Sequence, residues 1–153
     1  MEVYLKSNKA IIIKLLSVIS TLILVVIVTA CKQNEKTTEI NVAEIISDTE
    51  TVNVFYFHGK QRCETCSTVS NVAQQTVETA YTNNNKVRFI DIDFSEKANE
   101  ALTEKYEVMW NSLIIAKGDN VVDITPQAFA VAVKSPQLLE NLIKEEVNNR
   151  LTE

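Results

Sequence analysis

The stretch from Val52 to Cys66, VNVFYFHGKQRCETC, decides the fold of this chain. Its first six residues, Val52 to Phe57, are almost all β-branched or aromatic, which is typical of a strand buried on both faces. Beyond Cys63, apolar side chains recur every three or four residues and predict a helix from Glu64 to about Tyr81. The sequence therefore predicts a buried strand, a loop, and a helix that carries a C-x-x-C pair at its start.

The segments that follow complete an α/β domain. Val87 to Ile92, VRFIDI, is a second predicted strand, and the intervening helix implies that it runs parallel to the first. Leu113 to Ala116 and Val121 to Ile124 flank Lys117-Gly118-Asp119-Asn120, a hairpin signal that predicts two antiparallel strands. We expect a central mixed sheet of about four strands flanked by helices.

Further helices are predicted around this sheet. Ser95 is the expected cap of a helix from Glu96 to Tyr106, and Ser135 is the expected cap of a last helix that begins at Pro136. The segment 126–134 is compatible with one helical turn or two. The expected inward-facing residues of the two capped helices are Ala98, Ala101, Leu102 and Tyr106 in the first, and Leu138, Leu139, Leu142, Ile143, Val147 and Leu151 in the second. A short helix before the first strand is predicted from Val42, Ile45 and Ile46.

The composition excludes several classes of protein. A chain of 153 residues has room for one domain of ordinary size, and 46% hydrophobic residues exclude a disordered or fibrous chain. With 15 Lys plus Arg against 20 Asp plus Glu, the formal net charge of −5 gives no reason to expect a nucleic-acid partner. Three cysteines cannot all pair within one molecule, so at least one has another fate.

The first thirty residues are predicted to be an export signal. Lys6 and Lys9 precede a run from Ala10 to Ala30 that is almost wholly apolar, which is the pattern of a signal peptide. The run ends in Val28-Thr29-Ala30-Cys31, which resembles the lipobox of bacterial lipoproteins. The resemblance implies that residues 1–30 are removed and that Cys31 is lipidated.

A lipidated N-terminus would tether the protein to a membrane. Residues 31–39 would form the lipidated end and a polar tether, and residues 40–153 would form the folded domain. The alternative is an uncleaved anchor helix in which Cys31 is incidental, since the apolar run approaches the length of a membrane span. Both alternatives place the domain on the extracytoplasmic side of the cell membrane.

Cys63 and Cys66 are the predicted chemical centre. A spacing of three residues puts both sulfurs on one helical face, close enough to form a disulfide. Cys63 lies where free backbone N–H groups and the helix dipole stabilise a thiolate, and Lys60 and Arg62 act in the same direction. Glu64 opposes them. Cys66, one turn into the helix, is better placed to resolve a mixed disulfide than to start one.

Several other uses of the pair are compatible with the sequence. It could be a structural disulfide, as is common in exported proteins, or a trap for one soft metal or metalloid ion. A closed zinc site is disfavoured because His58 is the only histidine and no second C-x-x-C exists. His58 itself either satisfies a backbone carbonyl or supports the Cys63 thiolate. Trp110 is expected to pack near the site.

In this order of elements, the C-x-x-C pair makes the chain similar to the thioredoxin fold from about Val42 to Leu151. The resemblance implies that Cys63 attacks a substrate disulfide and that Cys66 releases the product. Two features depart from the family. Asn111-Ser112 stands where thioredoxins place a cis-proline, and the strand before the motif lacks their buried acid.

The sequence therefore predicts an exported, membrane-tethered thiol–disulfide oxidoreductase of a divergent thioredoxin-like branch. Its expected partners are envelope protein thiols or disulfides, small disulfides, and the membrane itself through lipid on Cys31. No cofactor and no resident metal are expected. The alternative is a dithiol binding module that holds a soft metal or metalloid for a membrane transporter, which the missing proline favours.

Overall fold

The computed structural model describes residues 41–152, and the structural statements below concern that part of the chain. Its elements, in chain order, are α1 (Val42–Ser47), β1 (Val52–His58), α2 (Glu64–Ala80), β2 (Val87–Asp93), a 3₁₀ turn (Lys97–Asn99), α3 (Glu100–Lys105), β3 (Ser112–Lys117), β4 (Asn120–Asp123), α4 (Thr125–Val131) and α5 (Pro136–Leu151).

The four strands form one mixed sheet in the order β2-β1-β3-β4. β1 runs parallel to β2, with Val52 opposite Val87, and antiparallel to β3, with Phe55 opposite Ile114. β3 and β4 form the predicted hairpin around Gly118, whose φ of +56° a glycine adopts without steric cost. The expected α/β class is confirmed, and the architecture is thioredoxin-like.

All seven residues of β1 are buried, so this strand is covered on both faces of the sheet. On one face Val52, Val54 and Tyr56 pack in a cluster that includes apolar residues of α2, α4 and α5. On the other face Phe55 and Phe57 pack with residues of α1 and α3. The strand ends at the loop that leads to the two cysteines.

The helix predicted from Glu96 to Tyr106 is wrong in its start and in part of its inner face, since Leu102 and Tyr106 face the core as predicted but Ala98 and Ala101 do not. The Asp93 carboxylate accepts hydrogen bonds from the Ser95 N–H (2.8 Å) and hydroxyl (2.6 Å), so Ser95 belongs to a turn and caps no helix. The first helical residues form the 3₁₀ turn, and α3 spans only six residues. Such a short helix presents little surface to the sheet, which leaves Ala98 and Ala101 exposed while Leu102 is buried.

The last helix begins at Pro136 as predicted, but two details differ. The Ser135 side chain makes no capping hydrogen bond, and the Leu138 side chain is 57% exposed. The buried side of α5 consists of Leu139, Ile143, Val147 and Arg150. The ambiguous segment before it forms the seven-residue α4, and Ile124, predicted in the strand, is instead its N-terminal cap.

The predicted signal at 1–30, with the tether at 31–39, lies outside the described residues. Between residues 41 and 152, no helix has the length and apolar character needed to cross a bilayer.

Tyr56 places a hydroxyl group in the core beside α2. Its side chain is fully buried, and the hydroxyl has no hydrogen-bond partner among the described residues. Burial raises the pKa of Tyr56 to about 12, because an ionised phenolate loses its hydration there, and Asp91 adds to this while Arg62 opposes it. The folded protein therefore keeps this proton at pH values where an unfolded chain releases it.

Tyr56→Phe should make the protein less sensitive to alkali. The raised pKa contributes stability that is complete below pH 10 and is lost as the pH rises through about 12. We expect the wild type to lose roughly 1.4 kcal/mol more free energy of unfolding than the variant between pH 7 and pH 11, because about one unit of the pKa shift is expressed by pH 11 at about 1.4 kcal/mol per unit. Urea unfolding at pH 7, 9, 10 and 11 measures this difference, and parallel curves for the two proteins would contradict it.

Candidate active site

The two cysteines lie at the start of α2 and are joined by a disulfide. Cys63 is the N-terminal cap of the helix, Cys66 lies in its first turn, and their Cα atoms are 4.9 Å apart. Cys63 is exposed, whereas Cys66 is only 5% exposed. An external thiol or disulfide can therefore reach the first sulfur more readily than the second.

The Cys63 sulfur occupies the position of a capping atom. It accepts a hydrogen bond from the Cys66 backbone N–H, with N and Sγ 3.0 Å apart. The helix behind it is 17 residues long, so its N-terminal partial charge also favours a negative group here. Glu64, the acidic residue of the first turn, acts against this effect. The geometry of the helix start thus stabilises a thiolate on Cys63.

His58 is the last residue of β1 and is buried, at 8% exposure. Its Nδ1 lies 2.8 Å from the Gly59 carbonyl oxygen, so Nδ1 must donate, because a carbonyl can only accept. Its Nε2 lies 2.7 Å from Asp91 Oδ1 and also contacts the Arg62 guanidinium. Both ring nitrogens are used, and neither bonds to a sulfur. Of the two alternatives that the sequence left open for His58, the structure shows the bond to a backbone carbonyl, and any support of Cys63 would act through the loop.

Asp91 is a site residue that the sequence reasoning missed. Arg62 Nη2 donates to both of its carboxylate oxygens, at 3.1 and 3.0 Å, and the Ser70 hydroxyl lies 3.5 Å away. Asp91 thereby links β2 to the loop in front of Cys63 and to α2. The pairing also offsets the positive charge of Arg62, so less of it acts on the thiolate than the sequence suggested. The available signal was a carboxylate between two buried apolar residues, Ile90 and Ile92, of the strand VRFIDID.

Asn111, directly before β3, contacts both the loop and the disulfide. Its Oδ1 accepts from the Gly59 N–H at 3.2 Å, and its Nδ2 donates to Cys66 Sγ at 3.1 Å. The sequence singled out this position only for lacking a proline. The peptide bonds between residues 41 and 152 include no cis bond. An asparagine side chain therefore contacts the buried sulfur from the position directly before β3.

An apolar groove lies beside Asn111. It has a volume of about 470 Å³ and is lined by Phe94, Met109, Trp110, Asn111, Thr125 and Phe129. Met109 and Trp110 are 79% and 65% exposed, so the expected packing role of Trp110 is wrong. Because these residues precede a strand rather than lying within an element, the core leaves them uncovered. A second cavity of about 620 Å³, near Tyr81 and Arg88, is lined by no cysteine or histidine.

The described residues contain no group of three or more His, Cys, Asp or Glu side chains arranged to hold a metal ion. Once reduced, Cys63 and Cys66 could supply two thiolate ligands. The only histidine is directed to Gly59, Asp91 and Arg62. What the arrangement offers chemically is a disulfide with one accessible and one covered sulfur, each accepting a hydrogen bond.

No family model matches this chain, and no curated protein matches it either. Among solved structures, one described as a malarial protein is similar over 63% of this chain and 98% of its own, at 23% identity and a TM-score of 0.42. The germline-specific thioredoxin Deadhead from Drosophila melanogaster is similar over 67% of this chain and 86% of its own, at 16% identity and a TM-score of 0.45. The assignment of the fold therefore rests on the sheet topology and the position of the cysteine pair.

Proposed function

We propose that this protein is a thiol–disulfide oxidoreductase in which Cys63 attacks and Cys66 resolves. The observation that carries the proposal is a disulfide at the start of a long helix with its first cysteine exposed and its second buried. A structural bridge stabilises a protein most when it closes a long loop, whereas this one joins residues three apart. The placement of this disulfide is therefore better suited to thiol–disulfide exchange than to stabilising the fold.

The exchange begins with the reduced protein. The Cys63 thiolate attacks one sulfur of a substrate disulfide, a new S–S bond forms, and the electron pair leaves on the other substrate sulfur, which takes a proton. The Cys66 thiolate then attacks Cys63 Sγ, closes the disulfide and expels the second substrate sulfur. The substrate gains two electrons and the cysteine pair loses two. In reverse, the same steps oxidise a substrate dithiol.

The residues around the pair support this division of roles. The Cys66 N–H and the helix start stabilise negative charge on Cys63, which favours it as the attacking thiolate. His58, Asp91 and Arg62 hold the loop in front of it from the sheet side. We assign His58 a supporting role: its carbonyl bond fixes Gly59, and its Nε2 helps to hold Arg62, the neighbour of Cys63.

The surface beside the site is suited to substrates with apolar character. Met109 and Trp110 are exposed next to Asn111, and they lie on the same groove as Phe94 and Phe129. Exposed aromatic and methionine side chains are characteristic of surfaces that bind other proteins. We propose protein thiols or disulfides, together with small disulfides, as the substrates.

The proposed setting is the cell envelope, with the protein held to the membrane by lipid on Cys31. This part of the proposal rests on the basic and apolar pattern of residues 1–30 and on Val28-Thr29-Ala30-Cys31. The domain would then act on the extracytoplasmic side, where disulfides form and persist.

The second candidate function is a carrier that binds one soft metal or metalloid ion through the reduced cysteines. It is favoured by Asn111, which leaves no proline against the two sulfurs. It is disfavoured by ligand number, because a tetrahedral ion needs four ligands and the cysteines supply two.

Cys66→Ser should accumulate mixed disulfides between Cys63 and other proteins of the cell. Without the resolving thiol, the first half of the exchange proceeds and the second cannot. Acid-quenched extracts, separated without reductant and probed for this protein, measure the adducts. We expect at least a tenfold excess over the wild type.

Cys63→Ser is the matched control for this experiment. It keeps one cysteine of the pair, but the remaining sulfur belongs to a residue that is only 5% exposed, so it should form few adducts. Equal adduct yields from the two variants would contradict the assigned roles. The absence of adducts, combined with tight one-to-one binding of a soft ion by the reduced wild type, would favour the carrier.

Cys31→Ala should abolish the incorporation of labelled fatty acid and leave a full-length precursor. The sulfur of this residue is the atom that the lipobox resemblance implies is acylated. Metabolic labelling followed by membrane fractionation measures both effects, with Cys63→Ser as a control that keeps the lipid. Normal maturation of Cys31→Ala would overturn the lipoprotein assignment.

A further inference from the structure

The two sulfurs of the disulfide accept hydrogen bonds of different origin. Cys63 Sγ accepts from a backbone N–H of the helix itself, which no side-chain substitution removes. Cys66 Sγ accepts from the Asn111 side chain, which reaches it from 45 residues further along the chain. The buried sulfur therefore depends on a single replaceable group.

The orientation of the Asn111 amide follows from its neighbours. The Gly59 backbone nitrogen can only donate, so the amide atom that faces it at 3.2 Å must be the oxygen. The amide nitrogen is then the atom that lies 3.1 Å from Cys66 Sγ. Since β3 begins at the next residue, the sheet fixes the backbone of this side chain, and Gly59 fixes its far end.

We infer that Asn111 is a catalytic residue that stabilises the thiolate of Cys66 as the disulfide opens. This inference rests on the proposed function. When a thiolate attacks Cys63 Sγ, a bond forms between the two sulfurs, the Cys63–Cys66 bond breaks, and the electron pair moves onto Cys66 Sγ. An N–H donor is bound more strongly by this anion than by a neutral disulfide sulfur, so the Asn111 amide stabilises the transition state relative to the disulfide.

The same bond affects the reverse step. A stabilised Cys66 thiolate is a better leaving group when the disulfide opens and a weaker nucleophile when it closes. The equilibrium between disulfide and dithiol therefore shifts toward the open, reduced form. Asn111 would thereby make the disulfide easier to reduce.

Asn111→Asp separates this role from a structural one. The aspartate keeps an oxygen to accept from Gly59 N–H, but it replaces the donor near Cys66 by a second carboxylate oxygen. A residue that only anchors the loop would tolerate this change. A donor to the thiolate would not, because negative charge would develop beside a carboxylate. Asn111→Ala removes both bonds and gives the combined effect.

The test is the second-order rate constant for reduction of the Cys63–Cys66 disulfide by dithiothreitol in the full chain. We expect Asn111→Ala to lower it about tenfold and Asn111→Asp to lower it by more. The equilibrium with dithiothreitol should shift toward the disulfide form in both variants. Each tenfold change in the equilibrium constant corresponds to about 30 mV in reduction potential for a two-electron couple. A rate for Asn111→Asp within twofold of the wild type would overturn the inference.

A measurement on the wild type covers the case in which the variants fail to fold. The side-chain amide protons of Asn111 should shift downfield in the NMR spectrum when the disulfide is reduced, and unchanged resonances would overturn the inference. The dithiothreitol assay needs no cellular partner. If Cys66→Ser traps no adducts while the Asn111 variants still slow reduction, the proposed function fails and the role of Asn111 stands.

Discussion

Burial of β1 on both faces is the constraint on which the rest of this structure depends. All seven of its residues are inaccessible or nearly so, and each helix that packs on the sheet covers one side of this strand or its neighbours. Because the core holds the strand so completely, its C-terminal end is a fixed point. The loop that begins at Gly59 leaves from that point and delivers Cys63 to the start of α2.

The loop is then held from two directions. On the β2 side, Asp91 pairs with Arg62, which ties the residue before Cys63 to the neighbouring strand, and the Arg62 guanidinium also contacts His58. On the β3 side, Asn111 accepts from Gly59 and donates to Cys66. Strand β2 and the residue directly before β3 therefore each contribute one polar side chain to the site. The cysteine pair lies where these contributions meet, with one sulfur accessible and the other covered.

The sequence predicts the features that depend on local pattern. The apolar run in β1 and the three-to-four periodicity of α2 place both elements within one residue of their observed ends, and they place the C-x-x-C pair at the helix start. The pattern fails where tertiary contacts decide. Ser95 looks like a cap but hydrogen-bonds to Asp93, and Leu138 continues an apolar stripe but lies on the exposed side of α5.

In the site, too, residues that are close in sequence are predictable and residues brought together by tertiary contacts are not. Cys63, Cys66 and His58 are recognisable because they stand together in the chain. Asp91 and Asn111 lie 29 residues after Arg62 and 52 residues after Gly59, their respective partners. No local signal reports a contact of that span. Asp91 and Asn111 reach the loop only because β2 and β3 pair with β1. Their contacts can therefore be identified from the folded structure but not from the C-x-x-C motif.

The central claim is that this disulfide exchanges with substrates. The most direct test is whether the protein catalyses the reduction of insulin by dithiothreitol. The wild-type protein should accelerate the precipitation of insulin chains at micromolar concentration, and a variant with Cys63→Ser and Cys66→Ser should not. Equal rates for the two proteins would contradict the account.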